Sequence, residues 1–324
     1  MPAISNKNKW LVVDYDGTCT EKDTTPLLPR LASLASRRSS DEDLRMRLSQ
    51  FKELEGEYLA LYSEVKNSLD GTEELHCALD RLDRPSTSVT RKVSQSGVLE
   101  GLGGVNVSEM SKLISVIGTT SDPVGETGAI QAEDKVSICL RDGVEQTLAR
   151  ILVDGCSDDD GGTGTGAWGV AVLSINWSRT LISASLVQPV LRKRRALLDI
   201  DSCDTEIDIW CNDVDEDGCV TLNYEGSVAK KEQIERLRSR MHEDEIDEPV
   251  IVYIGDSSTD LLALIEADLG IIVGDKTSAI SMARRWGYRV QPLADRHTED
   301  EWMRKGILWT TNDWYEIDNA LGEL

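Results

Sequence analysis

An α/β fold with a buried parallel sheet and an inserted helical region is the class this chain predicts, and three observations predict it. Two short apolar runs, residues 10–13 and 249–254, each end in a loop bearing aspartates. A third, Trp168–Leu173, ends in Ser174. Between the first and third, from residue 23 to about 134, strand signals stop and helical spacing takes over. Short continuous apolar runs mark strands covered on both faces, as in parallel sheets. Ligands in such sheets bind outside the carboxyl ends of the strands, which is where these polar residues fall.

The first loop reads Asp14-Tyr15-Asp16-Gly17-Thr18. The other reads Gly255-Asp256-Ser257-Ser258-Thr259-Asp260 and runs into the helical pattern Leu261, Leu262, Leu264, Ile265. Asp and Gly also favour turns for local reasons, so one such loop alone decides nothing. Two of them, at two strand ends, point to carboxylates gathered around a metal. A fourth segment, Gly226-Ser227-Val228-Ala229-Lys230-Lys231, opens a helix with lysine and continues with Ile234 and Leu237.

These segments together resemble the haloacid dehalogenase (HAD) superfamily, in its phosphoserine-phosphatase-like branch. Asp14 to Thr18 matches Asp-x-Asp-x-Thr, Gly255 to Asp260 matches Gly-Asp-x-x-x-Asp, Ser174 closes the second core strand, and the helix-start lysine completes the set. Lys230 has Ile234 and Leu237 at the spacing of that branch, and Lys231 is the alternative. The resemblance implies a HAD-like Rossmannoid three-layer α/β/α core with a parallel sheet, formed by residues 1–22 and 135–324. It also implies an α-helical cap of the C1 type at 23–134, with a return linker at about 118–134.

The same resemblance implies the chemistry. Asp14 is then the nucleophile that forms an aspartyl-phosphate, and Asp16 the general acid and base. Ser174 and Lys230 hold phosphoryl oxygens. Mg²⁺ is held by the carboxylates of Asp14 and Asp256 and the backbone carbonyl of Asp16, with Asp260 orienting the cluster. Thr18, Asp23 and Asn176 are expected to face substrate, with Trp177 beside them. Asp23 stands where the branch has a substrate-reading Glu, and a helix-capping role before Pro26 is its plainer alternative. Wording at 18–23, 174–178 and 253–260 is similar to HAD phosphatases associated with thiamine monophosphate and with a fungal cold-tolerance group.

The carboxylate at position 16 favours phosphomonoester hydrolysis, since dehalogenase members lack an acid there and cation-pumping ATPases carry Thr. The expected activity is Mg²⁺-dependent hydrolysis of a small phosphate monoester, amine-bearing or vitamin-like esters being preferred because of Asp23 and the acidic surroundings. A pyrimidine 5′-nucleotidase is the neighbouring enzymatic reading. A non-catalytic HAD-fold scaffold that binds a partner or phospho-ligand is the alternative from another class.

Composition narrows the classes. A chain of 324 residues suits about two domains. A net charge of −23 argues against attraction to nucleic acid or anionic membrane, so phosphate must meet local positive charge. Seven scattered cysteines without Cys-x-x-Cys spacing suit reduced thiols. No apolar signal core opens the chain and no run is long enough to span a bilayer, so a cytoplasmic location is expected.

Within the insertion, Leu27, Leu28, Leu31 and Leu34 start a helix, and residues 41–65 carry a long amphipathic one with Leu44, Leu48, Phe51, Leu54, Tyr58, Leu61 and Tyr62 on one face. Shorter helices are expected at 72–82 and 108–117, separated by the Ser/Thr-rich stretch 85–96. Residues 140–152 predict a core helix with Val144, Leu148, Ile151 and Leu152 inward. The Gly/Asp run at 154–166 reads as a flexible surface insertion. A Ca²⁺ loop at Asp158 to Asp160 is disfavoured, because the alternating acidic spacing and closing Glu are missing. Further strands are expected at 206–211, Leu269–Val273 and Arg289–Pro292. Trp302, Trp309, Trp314 and Tyr315 are read as core packing, and the basic run 192–195 as a solvated helical face rather than a nuclear-localisation patch.

Overall fold

The computed structural model describes residues 7–36, 40–117, 138–154, 168–199, 206–244, 246, 249–296 and 306–324. The apolar runs form strands β1 (Lys9–Val13), β2 (Trp168–Leu173), β3 (Asp208–Trp210), β6 (Val250–Gly255), β7 (Leu269–Val273), β8 (Arg289–Pro292) and β9 (Ile307–Thr311), while β4 (Asp213–Val214) and β5 (Val220–Thr221) make a separate antiparallel hairpin. The seven run parallel in the order β3-β2-β1-β6-β7-β9-β8. Central β1 pairs with β2 on one side and β6 on the other, so that Val13 lies level with Val172 and Ile254. The three loops that leave these strands therefore emerge side by side, at the point where the strand order reverses.

Alternation along the strands makes two apolar layers. Leu11, Val13, Val170, Val172, Val252 and Ile254 face one cluster with helices α5 (Val144–Asp154), α7 (Gln188–Leu198) and α11 (Trp314–Leu321). Trp10, Val12, Ala171, Leu173, Ile251 and Tyr253 face the other with α8 (Ser227–Glu243), α9 (Leu261–Glu266) and α10 (Ser278–Arg285). Each fully buried aliphatic side chain contributes roughly 1.5–3 kcal/mol. The result is the expected three-layer α/β/α core, and no helix among the described residues is long and apolar enough to cross a membrane.

The insertion supplies α1 (Leu28–Ala35), α2 (Asp41–Ser68), α3 (Leu75–Ser96) and α4 (Val107–Ile117). The expected break at 85–96 is absent: α3 runs through Pro85, which has no backbone N–H to give its helix. Hydroxyls of Thr90 and Ser94 return bonds to the carbonyls of Ser86 and Thr90, and buried Val89 and Val93 keep the helix on its core. A second departure concerns the cap as a separate layer. Leu75, Ala78, Leu79 and Leu82 of α3 pack in the sheet's own cluster, whereas Val89 and Val93 join α1, α4 and Leu181 in a third. One helix thus belongs to both halves.

β9 was not expected; it slots between β7 and β8 and buries Trp309, while Trp314 is also buried and Tyr315 is exposed. The basic run is only partly solvated, because Arg194 is buried and donates from Nε to Leu152 O at 3.1 Å. A π turn at Ser183–Val187 connects α7 to the preceding α6 (Arg179–Ile182). Trp302, nearly all of the 118–134 and 154–166 segments, and the Asp158 to Asp160 run lie outside the described residues. The cysteines described, 19, 77, 139, 211 and 219, are free thiols.

Trp314 packs against α5 and donates its indole N–H to Thr18 O at 3.2 Å. Trp314→Ala is expected to cost about 3–5 kcal/mol in urea denaturation; a loss below about 1 kcal/mol, the size of an ordinary exposed change, would contradict this packing.

Candidate active site

Asp14 leaves β1 buried, its N–H donating to Ile254 O at 2.8 Å, so the first loop is hydrogen-bonded to the neighbouring strand. The turn behind it needs Gly17, which has φ of +75°. A Cβ there would also come within 2.7 Å of the Asp256 carboxylate. Arg141 holds this turn from below, donating from Nε and Nη2 to Gly17 O at 3.0 and 2.8 Å. Nothing in the sequence marks Arg141, which sits where the chain returns from the insertion.

Lys230 is the lysine brought to the site. It is fully buried and donates to Asp14 Oδ1 at 2.7 Å and Asp260 Oδ1 at 2.6 Å. Lys231 lies on the outer face of α8 and pairs with Glu235 at 2.9 Å. Helix geometry accounts for the difference, since Ile234, Leu237 and Lys230 share the buried face of α8.

Asp14, Asp256 and Asp260 place carboxylate oxygens within 4.8 Å of one another, the geometry of a cation site. Asp260 is already engaged. Its Oδ1 accepts from Lys230 and from the Tyr253 hydroxyl at 2.7 Å, and its Oδ2 from the backbone of Asp256 and Ser257 and the Ser257 hydroxyl. Burial opposes the Asp260 charge, but Lys230 and these donors hold its carboxyl below the usual range. Asp256 has fewer partners: burial and the Asp260 charge push it up to about 7, against the Thr18 hydroxyl at 3.0 Å. Burial and Asp260 also push Asp14 upward, against the pull of Lys230. Burial works against the ammonium of Lys230 too, yet Asp14 and Asp260 hold it above the ordinary lysine range. Asp14 and Asp256 would hold a divalent cation against this excess of negative charge, since Asp260 is taken up by Lys230 and the Ser257 turn.

Asp16 points to the insertion side. Thr24 donates to its Oδ1 from N at 2.8 Å and from the hydroxyl at 2.7 Å, and Asn176 Nδ2 donates to its Oδ2 at 2.8 Å. Burial and the nearby Asp23 charge nevertheless raise Asp16 to about 6. Asn176 is thus a holder of Asp16, and Thr18 bridges Asp14 and Asp256; neither was expected in that position, both having been read as facing substrate. Ser174 sits buried at the end of β2, its Oγ accepting the Asn176 N–H at 3.1 Å. Asp23 is exposed and accepts the Thr25 N–H at 2.8 Å, while the N-cap of the 3₁₀ turn before α1 is Thr24.

Asp14, Asp16, Ser174 and Asp256 open into one cavity of about 540 Å³. Its walls also carry Asp23, Asp83, Arg141 and Glu225, and Tyr58 and Tyr62 from α2. Next to it lies an apolar chamber of about 230 Å³ lined by Phe51, Leu54, Tyr58, Val89, Val93 and Trp177, with Asp23 and Glu55 as its carboxylates. Asp23, Thr25, Tyr58, Leu59, Ser86 and Ile175 line both spaces. The apolar face of α2 is only half-buried because it fronts these cavities.

No protein-family model matches the chain. Among curated proteins it is similar to the bifunctional TH2 protein, mitochondrial, of Arabidopsis thaliana, with 26% identity over 361 aligned positions covering 99% of this chain and 51% of that one. The chain therefore spans about half the length of this relative. Similar solved structures include a phospho-aspartyl intermediate analogue of phosphoserine phosphatase, with 16% identity, a TM-score of 0.43 and coverage of 97% of this chain and 99% of that one. Another is a HAD family hydrolase from Salmonella enterica serovar Typhi, with 14% identity, a TM-score of 0.40 and coverage of 83% and 64%.

Removing one partner of a buried ion pair strands the other. Lys230→Met is expected to destabilise by about 3–5 kcal/mol in denaturant titration, and Lys231→Met by under about 0.5 kcal/mol. Equal losses would overturn the assignment. The chain has a three-layer α/β/α core, with Asp14, Ser174 and Asp256 gathered at the carboxyl end of its parallel sheet.

Proposed function

We propose that this chain is a HAD-type phosphatase that hydrolyses a small phosphate monoester with Mg²⁺. One observation carries the reading: a buried lysine joins Asp14 to Asp260 directly beneath a cavity into which Asp14, Asp16, Ser174 and Asp256 open. Phosphoryl transfer asks mainly for positioning and charge neutralisation, and each requirement has a residue here.

In this reading an Asp14 carboxylate oxygen attacks phosphorus, the bond from phosphorus to the ester oxygen breaks, and Asp16 gives that oxygen its proton. Asp16 then takes a proton from water, the water oxygen attacks phosphorus, and the bond to Asp14 breaks to release phosphate. Thr24 and Asn176 aim Asp16, whose carboxyl, raised to about 6, keeps a share of its protons near neutrality. Ser174 and Lys230 hold phosphoryl oxygens. Mg²⁺, which prefers six oxygens, would be held by Asp14, Asp256 and the Asp16 carbonyl and would neutralise charge on the phosphoryl group.

The leaving alcohol is chosen by the space beyond Asp16. Phe51, Tyr58 and Trp177 offer aromatic faces to a ring, and among the described residues no lysine or arginine lines that chamber. Asp23 and Glu55 there favour a neutral or cationic alcohol over an anionic one.

Phosphate release should be measured across phosphoserine, phosphocholine, thiamine monophosphate, nucleoside monophosphates, sugar phosphates and an activated aryl phosphate. Release is expected to need Mg²⁺, to vanish in Asp14→Asn and with a chelator, and to favour ring-bearing esters. Absence of release from every ester, with folded protein and Mg²⁺ present, would defeat the reading and favour a scaffold.

The pH dependence follows from the sign of the Asp16 shift. Its carboxyl lies above the ordinary value of 3.8, at about 6, so the proton needed by the leaving oxygen is lost as pH rises through that value. For an alkyl ester, kcat/KM is expected to fall there. The limb should weaken for an aryl ester, whose leaving oxygen needs no proton, and Asp23→Asn should move it to lower pH. Identical limbs for both esters would exclude Asp16 as the acid.

A further inference from the structure

Asp83 belongs to none of the motifs, yet it reaches across from the insertion to the helix that carries Lys230. It lies on α3, and its Oδ2 accepts the Ser227 N–H at 2.7 Å and the Ser227 hydroxyl at 2.6 Å. Ser227 is the first residue of α8, and the Lys230 N–H closes the opening turn onto Gly226 O at 3.1 Å. The first N–H groups of a helix have no acceptor within it. Here the N-cap residue is Gly226, which has no side chain to offer. The cap therefore comes from another helix, as a carboxylate, the group that the positive end of the helix dipole favours.

Gly226 is part of the same fit. A Cβ at this position would collide with the Asp83 carboxyl group. One turn further along α3, the Thr87 hydroxyl donates to Glu225 Oε2 at 3.2 Å. Leu79 and Leu82 of α3 share an apolar cluster with Ile234 and Leu237 of α8. Three kinds of contact thus hold α3 against the start of α8, and the Asp83 contact lies within a turn of Lys230.

We infer that Asp83 is a positioning residue for Lys230: it caps α8 from the insertion, so that the ammonium is seated between Asp14 and Asp260 only while α3 is docked. The catalytic consequence rests on the phosphatase reading; the seating of α8 does not.

The test uses the full chain and the variants Asp83→Ala, Asp83→Asn and Ser227→Ala. Hydrogen–deuterium exchange is followed in peptides covering 226–232 and 234–243. In Asp83→Ala the first peptide should exchange about tenfold faster while the second is unchanged, the scale of a lost helix cap. Asp83→Asn, which retains an acceptor oxygen, should restore much of the protection, and Ser227→Ala, which keeps the backbone contact, should fall between. With the best ester, kcat of Asp83→Ala should drop about tenfold while KM holds, the drop tracking the exchange across the series. Unchanged exchange at 226–232, or equal acceleration of both peptides, would overturn the proposal, the second outcome marking a general loss of stability. A local change in exchange with no phosphate release from the unaltered chain would defeat the phosphatase reading and leave the seating of α8 standing.

Discussion

A single buried ammonium organises this structure. Lys230 has no exposed surface, and a charge in that position survives only because Asp14 and Asp260 meet it at 2.7 and 2.6 Å. The three residues come from three different elements: Asp14 from the end of β1, Asp260 from the segment after β6 and Lys230 from the first turn of α8. Asp260 is fixed in turn by Tyr253 and by the Ser257 turn. The pairing therefore ties two central strands and a covering helix to one point, and it leaves Asp256 as the carboxylate with capacity to spare. An acidic chain thus buries one positive charge among the carboxylates at the end of its sheet.

The second organising fact is that the insertion is not simply laid over the core. α3 contributes its first half to the cluster on the sheet and its second half to the cluster of α1 and α4. The chain's exit and return are pinned together where Glu21 N donates to Cys139 O and Arg141 N to Cys19 O. Asp16 is held jointly by Thr24, on the way into the insertion, and by Asn176, on the core. Asp14, Ser174 and Asp256 thus stand at the strand ends, while Asp16 is fixed by the boundary between the two parts.

Much of this was legible from residues alone. Strand ends bearing Asp14, Ser174 and Asp256 could be located because buried parallel strands are short unbroken apolar runs, a pattern that leaves few alternatives. Lys230 was favoured over Lys231 because its spacing to Ile234 and Leu237 matches the phosphoserine-phosphatase-like branch, and in the fold Lys230 shares the buried face of α8 with both. The Ser/Thr-rich half of α3 was not legible, because its helix is stabilised by hydroxyls bonding back to carbonyls and by tertiary packing of Val89 and Val93, neither of which propensity records. β9 was missed because its run is short and lies in a tail whose tryptophans suggested packing without direction. Thr18 and Asn176 were read as facing substrate and lie against Asp14, Asp256 and Asp16; which neighbour such side chains meet depends on distances across the fold. Arg141 and Asp83 carry no motif at all; each bonds a single residue far away in sequence, Gly17 and Ser227 respectively.

The central claim is that Asp14, seated against Lys230, is the group that takes the phosphoryl. Acid-quenching the protein during turnover of a radiolabelled phosphate ester and mapping the label to a peptide addresses it directly. Label on the peptide containing Asp14, lost in Asp14→Asn and chased by unlabelled ester, is the result this account predicts. Steady phosphate release with no trapped label in Asp16→Asn, where breakdown of the intermediate should be slowed, or label on any other residue, would contradict it.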